Sequence, residues 1–194
     1  MAAPSRLLIG PLELVDVRHL YPPFAVGDAT RAFALLKGIA IHHDGVTFTA
    51  GDRDYSGDTL NEDLARLDAI YQRAVDQRWG RFPYHFVVSP NGRTFYTNDI
   101  GYYGAHVASR NHELLGIALM GNFMTSHPGD VQLCAAARAL VAIWSLTHTL
   151  YGFRGHREWA LPSSPTSCPG DTWWTWQNRL LVLTVALARS AFPS

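Results

Sequence analysis

The sequence predicts a single α/β domain in which one central β-sheet is covered by helices on both faces. Short apolar, β-branched runs suit buried strands, and longer segments with helical periodicity lie between them. An Asn91-Gly92 step between two of the runs is a strong hairpin signal. Strands that alternate with helices are typical of this layered architecture. The 194 residues suffice for one domain with a substantial core.

The N-terminal region carries little sign of regular structure. Residues 1–34 contain Pro4, Pro11, Pro22 and Pro23 and show little periodicity, and each proline removes a backbone donor. We therefore expect an irregular arm that packs on the domain proper, which spans residues 35–194.

A strand, a helix and a hairpin are predicted next along the chain. Residues 35–43, Leu-Leu-Lys-Gly-Ile-Ala-Ile-His-His, form an apolar run typical of a buried strand, and a loop rich in Gly, Asp and Thr follows over 44–58. Thr59 with Glu62 has the form of a capping box, and apolar residues then recur at helical spacing down to Gly80. The segments 84–89 and 93–97 flank Pro-Asn-Gly, which predicts strand, turn and strand.

The remaining elements complete the alternation of strands and helices. Residues 114–121, Leu-Leu-Gly-Ile-Ala-Leu-Met-Gly, predict a further buried strand, and helices are predicted from about 128 to 151 and from near Thr172. The most apolar stretch, 180–187, is far shorter than the ~20 residues that a membrane span requires. We therefore expect no membrane span.

Composition and charge exclude several classes of protein. Hydrophobic residues make up 47% and charged residues 16%, which is typical of a globular protein and not of a disordered one. The formal net charge is +0 and basic residues do not cluster, so we expect no nucleic-acid partner. The N-terminus has no sustained apolar region before a cleavage site, which predicts no secretory signal. A monomer is the default expectation.

The stretch 154–171 contains two good metal ligands, His156 and Cys168. Its prolines, and the Pro-Gly pair after the cysteine, prevent a helix, so the loop can return the thiolate to the imidazole. A third ligand is available where the first buried strand ends, at His42 or His43. Side chains alternate along a strand, so only one of this pair can face the site.

Two histidines and one cysteinate match catalytic zinc, which keeps its fourth tetrahedral position open for water. A structural zinc site would require a fourth protein ligand. Iron would favour a carboxylate and blue copper an axial methionine, and the pattern has neither. A nucleobase deaminase would need a Cys-x-x-Cys motif, which is absent. The sequence therefore predicts Zn²⁺.

Five blocks of sequence resemble one known family. The chain is similar to the type 2 N-acetylmuramoyl-L-alanine amidases, which include phage endolysins like T7 lysozyme and the peptidoglycan recognition proteins. The resemblance runs in order over residues 35–176 and implies a central mixed β-sheet flanked by helices. The blocks are Ile-Ala-Ile-His-His at 39–43, Tyr-His-Phe-Val-Val with Asn-Gly-Arg at 84–93, Gly-Ala-His with Asn at 104–111, Gly-Ile-Ala-Leu-Met-Gly-Asn-Phe at 116–123, and Gly-His-Arg with Cys-Pro-Gly-Asp at 155–171.

The resemblance also implies a role for particular residues. It implies that His42, His156 and Cys168 hold Zn²⁺. Tyr84 would be the catalytic tyrosine, and Thr166 occupies the position where the family often carries a Lys or Thr that steadies the developing oxyanion.

The substrate groove would be lined by His106 and Asn111. On residue type alone, Tyr84 also suits a strand aromatic that covers the core, and His106 suits a structural loop histidine. The family usually has a small residue such as Thr or Ser where this chain has Asp44.

The function implied is zinc-dependent hydrolysis of the amide bond between N-acetylmuramic acid and L-alanine in peptidoglycan. The expected role is that of a phage-type endolysin, made in the cytoplasm without a signal peptide and reaching the cell wall at lysis. Secretion or a periplasmic location is the alternative. A non-catalytic peptidoglycan-binding module is the competing function, although such members of the family typically lack the cysteine that this chain has at Cys168.

Overall fold

The structure is a computed structural model that describes residues 3–10, 12–24, 30–45 and 59–191. Within these ranges, the strands form one mixed sheet in the order β1-β2-β5-β4-β6-β3-β7, and they are β1 (Ser5–Ile9), β2 (Leu12–Asp16), β3 (Gly38–His43), β4 (Phe86–Val88), β5 (Thr94–Tyr96), β6 (Leu114–Leu119) and β7 (Phe153–Gly155). The pairs β1–β2 and β4–β5 are antiparallel, and the other neighbours are parallel.

Helices cover both faces of this sheet. The α-helices of the described residues are α1 (Leu60–Asp76), α2 (Asp130–Thr147), α3 (His156–Trp159) and α4 (Trp173–Ala191). Val87 and Ala118 pack in a buried cluster with Leu67 of α1. Their strand neighbours Val88 and Ile117 belong to the opposite cluster, which includes the buried residues of α2 and α4. The predicted α/β fold with a mixed central sheet is therefore confirmed.

The N-terminal segment corrects the irregular arm expected for residues 1–34. Strands β1 and β2 pair as a hairpin, and Val15 and Asp16 of β2 pair in parallel with β5, so this segment extends the sheet. The physical reason is a short alternation, in which Leu12 and Leu14 are buried on either side of the exposed Glu13. Prolines outside the two strands obscured this pattern.

The predicted helix starts and turns are confirmed, and the helix ends lie earlier than expected. The Thr59 side chain accepts the Glu62 N–H while the Glu62 carboxylate accepts the Thr59 N–H, which caps α1 as predicted. Helix α1 ends at Asp76 and not near Gly80, because Arg78 adopts a left-handed φ of 57°. Of the predicted loop over 44–58, residues 46–58 lie outside the described part of the chain.

Helix α2 is the apolar centre of the larger core. Its length and composition would suffice to cross a membrane, but most of its residues from Gln132 to Ile143 are buried against the sheet and α4. In this structure α2 is therefore a core helix. The absence of a membrane span stays a prediction.

Candidate active site

Two histidines emerge side by side where β3 and β7 end. The strands are parallel neighbours, and Ile41 of β3 is the register partner of Gly155 of β7. The residue that follows each of these is a histidine, His42 within β3 and His156 as the first residue of α3, so their rings meet at one edge of the sheet. The two ring centroids are 4.6 Å apart, and His42 is only 1% exposed.

The loop before α4 brings Cys168 to the same point. Its Sγ lies 3.6 Å from Nδ1 of His42, and the ligand atoms of His42, His156 and Cys168 all lie within 4.8 Å of one another. These three residues are called the ligand triad below. Arg157 fastens the loop, because its N–H donates to the Cys168 carbonyl at 2.8 Å and its side chain donates to Asp171 at 2.7 Å.

His43, the alternative candidate, does not join the ligand triad. Its Nδ1 accepts the Phe123 N–H at 3.1 Å, and its ring packs near the Phe123 ring with centroids 6.1 Å apart. The period-2 alternation of β3 thus directs His42, and not its neighbour, into the site.

Two further predicted residues flank the ligand triad. The Tyr84 ring, just before β4, lies with its centroid 5.1 Å from that of His42. The Thr166 hydroxyl accepts the Cys168 N–H at 3.1 Å, which places its oxygen beside the cysteine and leaves its proton able to donate. Both residues line the same groove as the ligand triad.

Burial sets the protonation of this site. Burial and the neighbouring histidines hold the pKa of His42 well below its ordinary value, and burial lowers the pKa of His156 to about 4 and that of His106 to about 3. All three rings are therefore neutral at pH 7. Burial raises the pKa of the Cys168 thiol to about 12 and keeps the Tyr84 phenol protonated by raising its pKa as well.

The donor set fits a borderline-soft divalent cation. Two neutral imidazoles and a thiol converge, and the described residues place no carboxylate oxygen among these ligand atoms. Nitrogen and sulfur ligands of this kind suit zinc and disfavour magnesium or calcium. A cation at this point would deprotonate the buried thiol and make it a ligand.

The ligand triad opens into a groove of about 1070 Å³. One wall is formed by α1, from which Arg66 and Arg73 line the groove. The opposite wall contains segment 105–111, and residues 164–166 border the cysteine. A groove of this size can accept an extended polar ligand along the face of α1.

The two predicted substrate-binding residues, His106 and Asn111, both line the groove, but much of their polar capacity is used within the protein. The side-chain oxygen of Asn111 accepts the N–H groups of His106 and Val107, each at 2.9 Å. His106 is 7% exposed, and both of its ring nitrogens have partners. Direct contact of either residue with substrate stays a prediction.

Sequence reasoning missed one residue that supports the site. Glu158 is the third residue of α3, and its Oε2 accepts the Gly155 N–H and the Trp173 indole N–H, each at 2.7 Å. These bonds anchor the short helix that begins at the ligand His156. A glutamate two residues after a candidate ligand is the signal that could have indicated it, because an acidic side chain suits the start of a helix.

Comparison with known proteins places this site in a family. The family model described as N-acetylmuramoyl-L-alanine amidase matches residues 33–171 of the chain. The chain belongs to this amidase family. The matched residues include the ligand triad and every other predicted site residue.

Individual relatives of the amidase family agree with this assignment. Peptidoglycan-recognition protein SC2 of Drosophila simulans is 26% identical over 155 residues, which cover 77% of this chain and 78% of that protein. Human N-acetylmuramoyl-L-alanine amidase is 28% identical over 178 residues, which cover 88% of this chain and 25% of that protein. The crystal structure of Drosophila peptidoglycan recognition protein SD superposes with a TM-score of 0.66 at 22% identity, covering 81% of this chain and 87% of that one. This last similarity shows the shared fold.

Proposed function

We propose that this protein is a zinc-dependent N-acetylmuramoyl-L-alanine amidase that hydrolyses the amide bond between N-acetylmuramic acid and L-alanine in peptidoglycan. The observation that carries the proposal is the convergence of the ligand triad, with ligand atoms within 4.8 Å, at a groove also lined by Tyr84. Membership of the amidase family supports the same reaction.

Each residue of the ligand triad has a role in the proposed amide hydrolysis. Zinc, when bound, supplies a Lewis acid and lowers the pKa of water so that it can attack at neutral pH. His42 and His156 offer neutral nitrogen ligands, and Cys168 offers a thiolate. The reaction adds water across the amide, so a carboxylic acid appears on the lactyl group and a free amine on L-alanine.

Hydrogen-bond donors beside the ligand triad would stabilise the transition state. The Tyr84 phenol stays protonated because burial raises its pKa, so it can donate to the oxyanion that develops on the scissile carbonyl. Thr166 can donate its hydroxyl proton to the same oxygen while its own oxygen accepts the Cys168 N–H.

A non-catalytic peptidoglycan-binding module is the second candidate, because relatives named peptidoglycan-recognition proteins match over most of the chain. The complete ligand triad favours catalysis. To distinguish the two functions, the protein is incubated with purified peptidoglycan and the soluble products are analysed by mass spectrometry. We expect peptide stems with a free L-alanine N-terminus and intact glycan strands. Binding to the wall without such stems would assign the protein to the recognition class.

The proposed biological role is that of a phage-type endolysin acting on the cell wall as a monomer. The amidase reaction supports a lytic role, since cutting stems from glycan strands weakens the wall. Addition of the protein to outer-membrane-permeabilised or Gram-positive cells should lower their turbidity, and size-exclusion chromatography should give a mass near 21.5 kDa. Efficient release of stems from purified wall without lysis of any cells would instead favour a recycling role.

A further inference from the structure

His106 contacts a metal ligand through one ring nitrogen and the backbone through the other. Its Nε2 lies 3.3 Å from the Leu114 carbonyl oxygen, and its Nδ1 lies 3.0 Å from Nε2 of His42. A carbonyl oxygen can only accept a hydrogen bond, so the His106 proton sits on Nε2 and its Nδ1 presents a lone pair. The facing Nε2 of His42 must then carry the proton of that ring. The other nitrogen of His42, Nδ1, is left as a bare lone pair.

This bare nitrogen is the atom that faces the rest of the ligand triad. Nδ1 of His42 lies 3.6 Å from Cys168 Sγ. The opposite tautomer of His42 would place a proton there, and a protonated nitrogen cannot bind a metal. We propose that His106 is a positioning residue that selects the metal-binding tautomer of His42 and holds its ring, an inference that rests on the metal site of the proposed function.

Close packing around His106 restricts its ring to one position. A Cβ added at Gly104 would lie 2.6 Å from Cδ2 of His106, and one added at Gly116 would lie 3.0 Å from its Cγ and Nδ1. The two glycines therefore leave a slot for the imidazole. The buried Arg31 donates from Nη1 to the same Leu114 carbonyl at 2.8 Å, which fixes the acceptor that orients His106.

This assignment changes the role that the family resemblance implies for His106. A ring with both nitrogens engaged inside the protein has no polar atom left for a muropeptide, although one edge still borders the groove. Outer hydrogen bonds to a metal-bound histidine fix its tautomer, and their loss typically weakens metal affinity by about 10–100-fold. We expect loss of the His106–His42 hydrogen bond to weaken metal affinity to the same extent.

A pair of near-isosteric variants isolates the hydrogen bond from the shape of the side chain. In His106→Asn, the Oδ1 atom is the same number of bonds from Cβ as Nδ1 and can accept the His42 N–H. In His106→Leu, a methyl group of similar size cannot accept it. His112→Leu is the matched control, because His112 is an exposed histidine close by in the same loop region.

Three measurements on the full chain report on the tautomer of His42 without relying on turnover. The zinc dissociation constant is measured by competition with a chelator, and the Co²⁺-substituted protein reports the ligand geometry by its absorption spectrum. In the ¹⁵N-labelled zinc protein, a scalar coupling across the N–H···N bond would join His42 Nε2 to His106 Nδ1. Thermal unfolding verifies that each variant is folded.

We expect His106→Leu to weaken zinc affinity by about 10–100-fold and to alter the Co²⁺ spectrum. His106→Asn should recover most of both, and His112→Leu should change neither. Equal zinc affinity in His106→Asn, His106→Leu and the unaltered protein would overturn the inference. If His106→Leu does not fold, the test is the scalar coupling between His42 and His106 in the unaltered zinc protein. The absence of that coupling would overturn the inference.

The inference and the proposed function can fail separately. An unaltered protein that binds zinc and shows the His42–His106 coupling, but releases no peptide stems, would refute the amidase function and leave the positioning role intact. An active zinc enzyme whose His106→Leu variant binds zinc normally would refute only the positioning role.

Discussion

Asp44 and Arg66 form a buried bidentate ion pair that joins the end of β3 to helix α1. Arg66 donates from Nη2 to Oδ1 of Asp44 at 2.6 Å and from Nε to Oδ2, and the two side chains are only 9% and 2% exposed. Asp44 Oδ1 also accepts the Gly121 N–H at 2.9 Å. The pair fastens one wall of the groove to the strand that carries His42.

Loss of Asp44 should therefore be costly to the fold. Asp44→Ala removes a buried carboxylate that binds Arg66 in a bidentate pair and accepts the Gly121 N–H, and we expect the free energy of unfolding to fall by about 3–5 kcal/mol. Chemical denaturation measures this change. Glu13→Ala, which removes the exposed pair with Arg6, is the control and should change stability by at most about 1 kcal/mol. Similar losses in both variants would contradict the structural role of the buried pair.

Each member of the ligand triad should be essential for metal binding. We expect His42→Ala, His156→Ala and Cys168→Ala each to abolish zinc binding and hydrolysis, because three ligands are the minimum for a catalytic zinc site. Zinc stoichiometry by atomic emission and stem release by mass spectrometry are measured on the same samples.

Cys134 provides a matched control for the cysteine ligand. It lies on α2, partly buried and outside the ligand triad, so Cys134→Ala should retain one zinc and full turnover. Normal zinc content and turnover in Cys168→Ala would show that the cysteine is not a ligand.

Tyr84 should act on the rate and not on metal binding. Tyr84→Phe keeps the ring beside His42 and removes only the hydroxyl, so turnover should fall by about 100-fold or more while zinc content is unchanged. Steady-state kinetics on a soluble muropeptide measure kcat and KM separately. Unchanged kcat in Tyr84→Phe would return this residue to the role of a groove aromatic.

The Thr166 hydroxyl should also act on turnover and not on zinc binding. Thr166→Val keeps the side-chain shape and loses the hydroxyl, whereas Thr166→Ser keeps it. We expect a lower kcat in the valine variant and near-normal kcat in the serine variant. Equal kcat in both variants, with zinc retained, would remove Thr166 from the catalytic residues.

The neutral histidines of the metal-free site should make stability depend on pH. The pKa of His106 is lowered to about 3 and that of His156 to about 4, from an ordinary value of 6.5. Between about pH 4 and pH 6.5 the unfolded chain binds protons that the folded chain does not bind, so the free energy of unfolding increases with pH. We expect the chelated protein to lose stability as the pH falls from 6.5 to 4.

Denaturation curves in the presence of chelator test this dependence on pH. His156→Asn removes one of the depressed groups and should flatten the slope between pH 4 and pH 6.5. An unaltered protein with constant stability across that window would contradict the buried, neutral state of these rings.

Local signals in the sequence predicted much of the fold. The capping box at Thr59, the Asn91-Gly92 turn and the apolar runs each depend on residues within one element, and the structure confirms them. The hairpin of β1 and β2 was missed because each strand is only five residues long. The parallel partner of β2, strand β5, is also distant in sequence.

The metal ligands could be predicted because metal binding requires particular residue types, which are visible in the sequence. His156 and Cys168 stood out as metal ligands joined by a helix-breaking loop, the pair His42 and His43 at a strand end offered the third ligand, and the family resemblance implied His42. The structure brings His42, His156 and Cys168 together. The contact of Asp44 with Arg66 and that of His106 with His42 link residues 22 and 64 positions apart. No periodicity or motif within one segment encodes such pairs, so only the folded chain reveals them.

The most direct test of a zinc amidase is a titration of metal back into the stripped protein while hydrolysis is followed. Zinc is removed by chelation and returned in substoichiometric steps, and the free L-alanine amine released from a muropeptide is quantified at each step. We expect no turnover in the stripped protein and a linear increase in turnover that stops at one zinc per chain. Full turnover without metal, or no turnover at one bound zinc per chain, would show that the protein is not a zinc amidase.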